Sequence, residues 1–109
     1  MLNQLVLVGR LVKDIELRET ESKKKVTNLT LAIPRSFKNS EGQYETDFIE
    51  CTLWEQTAIN TSEYCKKGSI LGIKGRIQTK VIEKGGVKRT VIEVIAEKVT
   101  FLSSKPLDK

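Results

Sequence analysis

Aromatic side chains stand at unexpected positions in the segment from Asp47 to Trp54, which alternates apolar and other residues with a period of two. That period is typical of a β-strand with one buried and one solvated face. The buried face would consist of Ile49, Cys51 and Leu53. The solvated face should be polar, yet it carries Phe48 and Trp54. Exposed aromatic rings of this kind are surfaces on which unpaired bases stack.

The segment from Leu71 to Lys80 shows the same alternation with a different solvated face. Its apolar positions are Leu71, Ile73 and Ile77. Its other face is polar and basic, with Lys74, Arg76, Gln78 and Lys80. A row of cations close to flat aromatic rings favours binding of single-stranded nucleic acid, which exposes phosphates and bases together.

Further side chains could extend such an interface. Phe37 lies in a predicted polar loop beside Arg35, and this ring could stack on a third base. Asn28 and Thr30 lie on the outward face of the strand before that loop, where they could donate and accept hydrogen bonds. Lys88 flanks a predicted hairpin turn and could contact another phosphate.

Ordinary structural roles would also account for single members of this set. A twist or bulge at the end of the strand would let Trp54 pack beneath the element that follows, and lysines on a strand commonly form a solvated face. Phe48 shares the face of Trp54, so a structural explanation must hold for both rings. The binding interpretation and the structural one both remain open from the residues alone.

The charge of the chain is unevenly distributed. Its formal net charge is +5 over 109 residues. Residues 1–54 carry 8 basic and 8 acidic side chains, whereas residues 55–109 carry 11 basic and 6 acidic ones. A basic half favours a polyanionic partner. No apolar run approaches the ~20 residues of a membrane span, so we expect no membrane association.

Residue types that support catalysis or metal binding are scarce. Histidine is absent, and the two cysteines, Cys51 and Cys65, are too few for a zinc site. The carboxylates are scattered over strand ends and turns. We therefore predict no catalytic residues, no metal and no cofactor, and we expect that the protein is not an enzyme. Reduced, buried cysteines favour a cytoplasmic location.

Alternating apolar residues predict five strands and one helix. The strands are expected at residues 2–12, 26–33, 47–54, 70–82 and 87–102. Pro34 should end the second strand because it lacks an N–H, and residues 37–42 should form a polar loop. A weak helical pattern covers residues 55–67, with Ala58, Ser62 and Cys65 on one face and Gly68 as the stop. Gly72 and Gly75 would mark curvature or a close backbone approach.

This order predicts an all-β fold with one helix between strands three and four. It matches the OB-fold, a five-stranded Greek-key barrel whose strand 2–3 face binds oligonucleotides. We assign residues 1–102 to this domain and residues 103–109 to a short polar C-terminal segment.

Nearly the whole chain, from about residue 1 to 102, resembles the bacterial-type single-stranded DNA-binding protein (SSB) family. The similar blocks are MLNQLVLVGRLVKDIELR, VTNLTLAI, TDFIECTLW, SEYCKKGSILGIKGRIQT and VIEVIAEKVTFL. The chain departs from the family where Glu50 replaces a residue that is basic in some members and where Ile82 replaces a common aromatic. ETESKKK also replaces a more typical Pro-Asn-Gly turn.

The resemblance implies that Trp54, Phe48 and Phe37 stack on bases and that the protein forms a homotetramer of OB-folds. A first strand that is apolar on both faces agrees with pairing between subunits. Many members carry a C-terminal acidic tip that recruits replication and repair enzymes, whereas this sequence ends in SSKPLDK. We therefore expect weak recruitment of such enzymes.

The function predicted from these observations is sequence-tolerant binding of single-stranded DNA, which coats and protects unpaired DNA in replication, repair or recombination. One alternative is a primosome-type accessory or an RNA-binding OB module. Another is an oligomeric interaction scaffold whose aromatic rings lie inside an interface.

Overall fold

Antiparallel strands with alternating side chains make up most of the computed structural model, which describes residues 1–103. Within that range it contains β1 (Leu5–Leu11), β2 (Arg18–Glu19), β3 (Lys25–Lys38), β4 (Tyr44–Trp54), α1 (Glu55–Tyr64), β5 (Ile70–Lys84) and β6 (Val87–Phe101). The predicted C-terminal segment, residues 103–109, lies outside the described residues except for Ser103.

The strands close into a barrel. Their order is β1-β5-β6-β4-β3-β2, and an additional pairing between β1 and β3 joins the two sides. All neighbours are antiparallel except β4 and β6, which are parallel. Five strands therefore form the predicted OB-fold, with α1 between the third and fourth of them. The two-residue β2 was not predicted, because Arg18 and Glu19 are too few to show a period.

Inward-facing aliphatic residues fill the barrel, and α1 covers one end with Ala58 and Thr61. The predicted inner faces are buried at Leu29, Leu31, Cys51, Leu53, Leu71 and Ile73. Ile49 is only half-buried, and Ile77 is exposed because it lies beyond Gly75, the last residue of β5 that pairs with β1.

The change of direction in β5 occurs at Gly75. The pairing register shifts between Lys74 and Gly75, so that Glu97 of β6 is an extra residue in a β-bulge. A Cβ at Gly75 would collide with the backbone oxygen of Ile95. This confirms the predicted close backbone approach at Gly75.

The prediction that Pro34 ends the second strand is wrong. Pro34 pairs with Thr46, and β3 continues to Lys38 as one arm of a hairpin that extends beyond the barrel. The register becomes irregular directly after Pro34, which is where a strand tolerates a residue without an N–H. Phe37 therefore lies on a strand, and the polar loop is the shorter turn that follows Lys38.

The helix is shorter than predicted and ends at Tyr64. Cys65 is extended, since its side chain turns into the core, and Gly68 (φ 95°) belongs to the next turn, in which Ser69 N–H donates to the Lys66 carbonyl at 2.9 Å. The buried side of α1 also differs, because Thr61 rather than Ser62 accompanies Ala58. No helix in residues 1–103 is long and apolar enough to cross a membrane.

Candidate nucleic-acid interface

The outward side of β4 carries exposed aromatic rings. Phe48 is 65% exposed and Trp54 is 40% exposed, whereas Cys51 and Leu53 of the same strand are completely buried. Thr52 lies between the two rings on the outward side and pairs with Asn28 of β3. The alternation in the sequence therefore predicts both faces of this strand.

Trp54 is held at a sharp corner between β4 and α1. It is the last residue of the strand, and Glu55 follows it with a left-handed backbone (φ 52°) that non-glycine residues rarely adopt. The Glu55 side chain fixes this corner, because its Oε1 accepts a hydrogen bond from the Lys25 backbone N–H at 3.2 Å. The indole lies beside an open hollow instead of beneath α1.

Two adjoining hollows lie over β3 and β4 beside the β5–β6 hairpin, and β2 borders one of them. One has a volume of about 350 Å³ and reaches Trp54, and the other, of about 520 Å³, reaches Phe48. Asn28, Thr52, Lys80 and Glu93 line both of them. We call this surface the aromatic face: Phe48, Thr52 and Trp54 of β4, Asn28 of β3, Lys80 of β5 and Glu93 of β6. It provides rings for stacking, a polar floor and a cation.

The structure separates the predicted row of cations on β5. Lys80 lines the hollows, but Arg76 Nε is paired with Glu97 Oε2 at 3.3 Å. Lys74 pairs with Val6 of β1, so it lies on the other side of the barrel. Lys88 pairs with Glu83, which is an odd number of residues from Lys80 on β5. Because side chains alternate along a strand, Lys88 and Lys80 point to opposite sides of the hairpin.

Two basic residues of the hairpin share the side of Lys80. The register places Lys84 and Arg89 on this side, and the turn at Gly85 and Gly86 has positive φ at both residues, as a tight two-residue hairpin requires. The sequence pattern did not distinguish these cations from Lys88, because which side each occupies follows from the pairing.

Arg35 is engaged by acidic neighbours. Its Nη2 donates to Asp47 Oδ1 at 2.9 Å, its Nε donates to Oδ2 of the same carboxylate at 3.1 Å, and its Nη1 donates to Glu45 Oε1 at 2.9 Å. The hydrogen bond and the charge of Arg35 lower the pKa of Asp47, and Asp47 in turn raises the pKa of Arg35. Two carboxylates thus already hold the guanidinium that was predicted to bind nucleic acid.

Phe37 and Tyr44 lie on the β3–β4 hairpin beyond the hollows. Both rings are 62% exposed. Phe37 follows Ala32, the partner of Phe48, by five residues, or roughly 16 Å of strand at ~3.3 Å per residue. Tyr44 was missed as a candidate, because the predicted strand began only at Asp47. Continuing the even-numbered positions back from Phe48 would have found it.

Polar side chains fill the floor of the aromatic face. Asn28 Nδ2 donates to Thr52 Oγ1 at 2.9 Å, and Thr52 Oγ1 donates to Glu93 Oε2 at 3.0 Å. Thr30 lies one pair further along, opposite Glu50. Arg18 of β2 also reaches this floor and donates to Asn28 Oδ1 at 2.7 Å. Glu93 and Arg18 were not among the predicted residues, since neither follows from a pattern within one strand.

The described residues offer noncovalent binding groups and no assembled reactive centre. Burial raises the pKa of Cys51 and of Cys65 to about 11, so both thiols are protonated and unreactive at neutral pH. Within residues 1–103, His, Cys, Asp and Glu form no group of three that could hold a metal ion. The arrangement can stack rings on bases, hydrogen-bond base edges and neutralise phosphate.

Comparison with known proteins agrees with this geometry. The single-strand binding protein family matches residues 2–102. The chain is 51% identical to the single-stranded DNA-binding protein B of Bacillus subtilis, and the match covers 100% of this chain and 97% of that protein. It is 49% identical to single-stranded DNA-binding protein 3 of Listeria innocua, with coverage of 96% and 66%. It is 47% identical to single-stranded DNA-binding protein 3 of Streptococcus agalactiae, with coverage of 96% and 77%. The chain therefore belongs to the single-strand binding protein family.

Proposed function

We propose that this protein binds single-stranded DNA with little sequence preference and keeps it unpaired during replication, repair and recombination. The observation that carries the proposal is the exposure of Phe48 and Trp54 on one side of β4, next to Lys80. Every base has an aromatic surface, so stacking on these rings tolerates any sequence. The protein acts by binding and not by catalysis.

The rings of β4 provide stacking, and the cations of the β5–β6 hairpin provide charge neutralisation. A base on Trp54 and another near Phe48 would leave the connecting phosphates close to Lys80, and further along the hairpin to Lys84 and Arg89. Each stacked base contributes ~1–3 kcal/mol, and each neutralised phosphate adds to the salt dependence of binding.

A titration with oligo(dT) tests this proposal. Trp54 is the sole tryptophan of the chain, so stacking on it should quench the protein's indole fluorescence. Anisotropy of a labelled oligo(dT) then measures affinity for variants without the indole, and Trp54→Ala should lose ~1–3 kcal/mol. Tyr64→Ala is the matched control, because Tyr64 is 69% exposed but lies on α1 away from the hollows. Equal losses of affinity in both variants would place the bound DNA elsewhere on the protein.

We also propose that the chain assembles as a homotetramer in the cytoplasm through the outward side of β1. Val6 and Val8 are exposed there, and Leu102 lies against Gly72 between them and β6. We call Val6, Val8 and Leu102 the aliphatic face. Exposed aliphatic side chains on a sheet are suited to burial against a second copy. Sedimentation equilibrium at micromolar concentration measures the mass, and a stable monomer would exclude this assembly.

The accessibility of Trp54 in the free protein separates this proposal from the scaffold alternative. If the aromatic rings were interface core, Trp54 would be shielded in the assembled free protein. We expect it to remain accessible to a small quencher such as acrylamide until DNA is added. Competition between oligo(dT) and an unstructured oligo(U) distinguishes the RNA-binding alternative, which requires equal affinities.

A further inference from the structure

A carboxylate occupies the centre of the surface that is proposed to bind a polyanion. Glu93 of β6 lies in the floor of the aromatic face and lines both hollows. Neutral donors hold both of its oxygens: Thr52 Oγ1 donates to Oε2 at 3.0 Å, and Gln78 Nε2 donates to Oε1 at 3.2 Å. Its side chain is 15% exposed. The negative charge is therefore fixed in position and little screened by water.

Lys80 is the cation that faces this carboxylate. Its Nζ lies 3.6 Å from Glu93 Oε2, which is an ion pair at a distance beyond an ordinary hydrogen bond. Its side chain remains 52% exposed, so the ammonium can move toward solvent on its flexible stem. Lys80 is also the cation that lines both hollows beside Trp54 and Phe48.

We propose that Glu93 and DNA phosphate compete for Lys80, so that Glu93 limits both the affinity and the salt dependence of strand binding. The inference rests on the proposed single-strand binding and adds a residue that opposes it. A free lysine that neutralises a DNA phosphate releases the cations condensed on the DNA, and this release favours binding. Lys80 is instead already paired with Glu93, which is attached to the protein and cannot leave. A phosphate that approaches Lys80 also meets the charge of Glu93.

A positioning role for Glu93 would have the opposite consequence. If the carboxylate held Lys80 in the orientation that phosphate needs, removing its charge would weaken binding. Glu93→Gln separates the two roles, because glutamine has the same size. Its amide oxygen, in the place of Oε1, can still accept from Gln78, and its NH2 group, in the place of Oε2, can donate to the Thr52 hydroxyl. The substitution removes the charge and leaves the floor hydrogen-bonded.

The experiment measures the affinity of the full chain for labelled oligo(dT) over a series of salt concentrations. Competition predicts that Glu93→Gln tightens binding about fivefold at low salt, since an ion pair near the protein surface is worth up to ~1 kcal/mol. The slope of log K against log salt should steepen by about 0.7, one more phosphate contact. In a Lys80→Gln background, the same substitution should leave the slope unchanged.

Glu97→Gln is the matched control, since it adds the same net charge to the same strand. Glu97 pairs with Arg76 outside the two hollows, so we expect a smaller gain that screening reduces further. An equal gain in Glu97→Gln would overturn the proposal in favour of a general charge effect. Unchanged or weaker binding by a folded Glu93→Gln variant, verified by its circular dichroism, would overturn it as well.

A second test needs no substitution at Glu93. Lys80→Gln should flatten the salt slope less than Arg89→Gln does, because Lys80 already has an anion beside it. Equal flattening would contradict the competition. If the unsubstituted protein failed to bind oligo(dT) at all, the proposed function would fall together with this inference, whereas normal binding with an unaltered Glu93→Gln slope would remove only the inference.

Discussion

Two outward faces of the same barrel are built by the same alternation of strands but carry different side chains. The aromatic face presents Phe48 and Trp54 above hydrogen-bonded polar groups, next to a lysine. The aliphatic face presents the exposed side chains of Val6 and Val8, and Gly72 leaves space there for Leu102. A strand's period of two fixes which residues point outward, and the residue types decide what each face binds.

This difference distinguishes a surface suited to reversible binding from a surface suited to permanent assembly. The polar floor beneath the rings is satisfied when no ligand is present, because Asn28, Thr52 and Glu93 are hydrogen-bonded to one another. Exposed valines have no such compensation, and burying them is favourable at ~25 cal/mol per Å². We therefore assign DNA, which must leave, to the aromatic face and a second copy of the chain to the aliphatic face.

The largest expected effect comes from removing both rings of the aromatic face. Phe48→Ala combined with Trp54→Ala should weaken oligo(dT) binding by roughly 2–6 kcal/mol, the sum of two stacked bases. Fluorescence anisotropy of labelled oligo(dT) measures this loss. The sedimenting mass should not change, and a loss of assembly in this variant would show that the two faces are not independent.

Charging the aliphatic face should have the converse result. Val6→Lys with Val8→Lys would place unpaired ammonium groups inside the proposed interface, which costs several kcal/mol. We expect the mass in sedimentation equilibrium to fall to that of one chain, while oligo(dT) still quenches Trp54. Val87→Lys provides the control at an exposed valine of the hairpin tip. Retention of the oligomer after both Val6 and Val8 are charged would place the interface elsewhere.

A smaller effect should distinguish the two sides of the β5–β6 hairpin. Lys84→Gln with Arg89→Gln removes two cations from the side of Lys80, so the slope of log K against log salt should flatten by roughly 0.7 for each. Lys88→Gln removes a cation from the opposite side and should leave the slope nearly unchanged. A salt series of oligo(dT) titrations measures all three slopes. A flatter salt slope in Lys88→Gln instead would show that the DNA strand follows the other side of the hairpin.

The sequence predicts the barrel because the information lies within single strands. Alternation from Asp47 to Trp54 identifies the buried and the aromatic side of β4 before any neighbour is known. Pro34 shows where this approach fails, since the irregular pairing that accommodates it is a property of two strands and not of one. Tyr44 was missed for a different reason, because the predicted strand began at Asp47 although the even-numbered positions continue back from Phe48 to Tyr44.

The charged part of the site depends on partners that are distant in sequence. Lys80 and Glu93 are brought together by the register of β5 and β6, and Arg35 meets Asp47 through that of β3 and β4. A cation that looks free in the sequence can therefore be paired in the fold. Only the pairing of strands shows which lysines and arginines remain for phosphate.

The smallest expected effect on DNA binding is at Arg35, on the β3–β4 hairpin. Because Asp47 and Glu45 already hold its guanidinium, Arg35→Gln should change oligo(dT) affinity less than Arg89→Gln does at the same salt concentration. A loss as large as that of Arg89→Gln would show that Arg35 leaves its carboxylates to contact phosphate.

The pH dependence of stability tests the same ion pair without DNA. Arg35 lowers the pKa of Asp47 below its ordinary 3.8, so the pair stabilises the fold at pH values above 3.8. This contribution is lost as the pH falls through the lowered pKa, because Asp47 is then protonated in the folded state too. The difference in Tm between the unsubstituted protein and Arg35→Gln should therefore be present at neutral pH and shrink below pH 3.8. A difference that is the same at both pH values would mean that Arg35 stabilises the hairpin through packing of its stem, and its guanidinium would then be available to the strand.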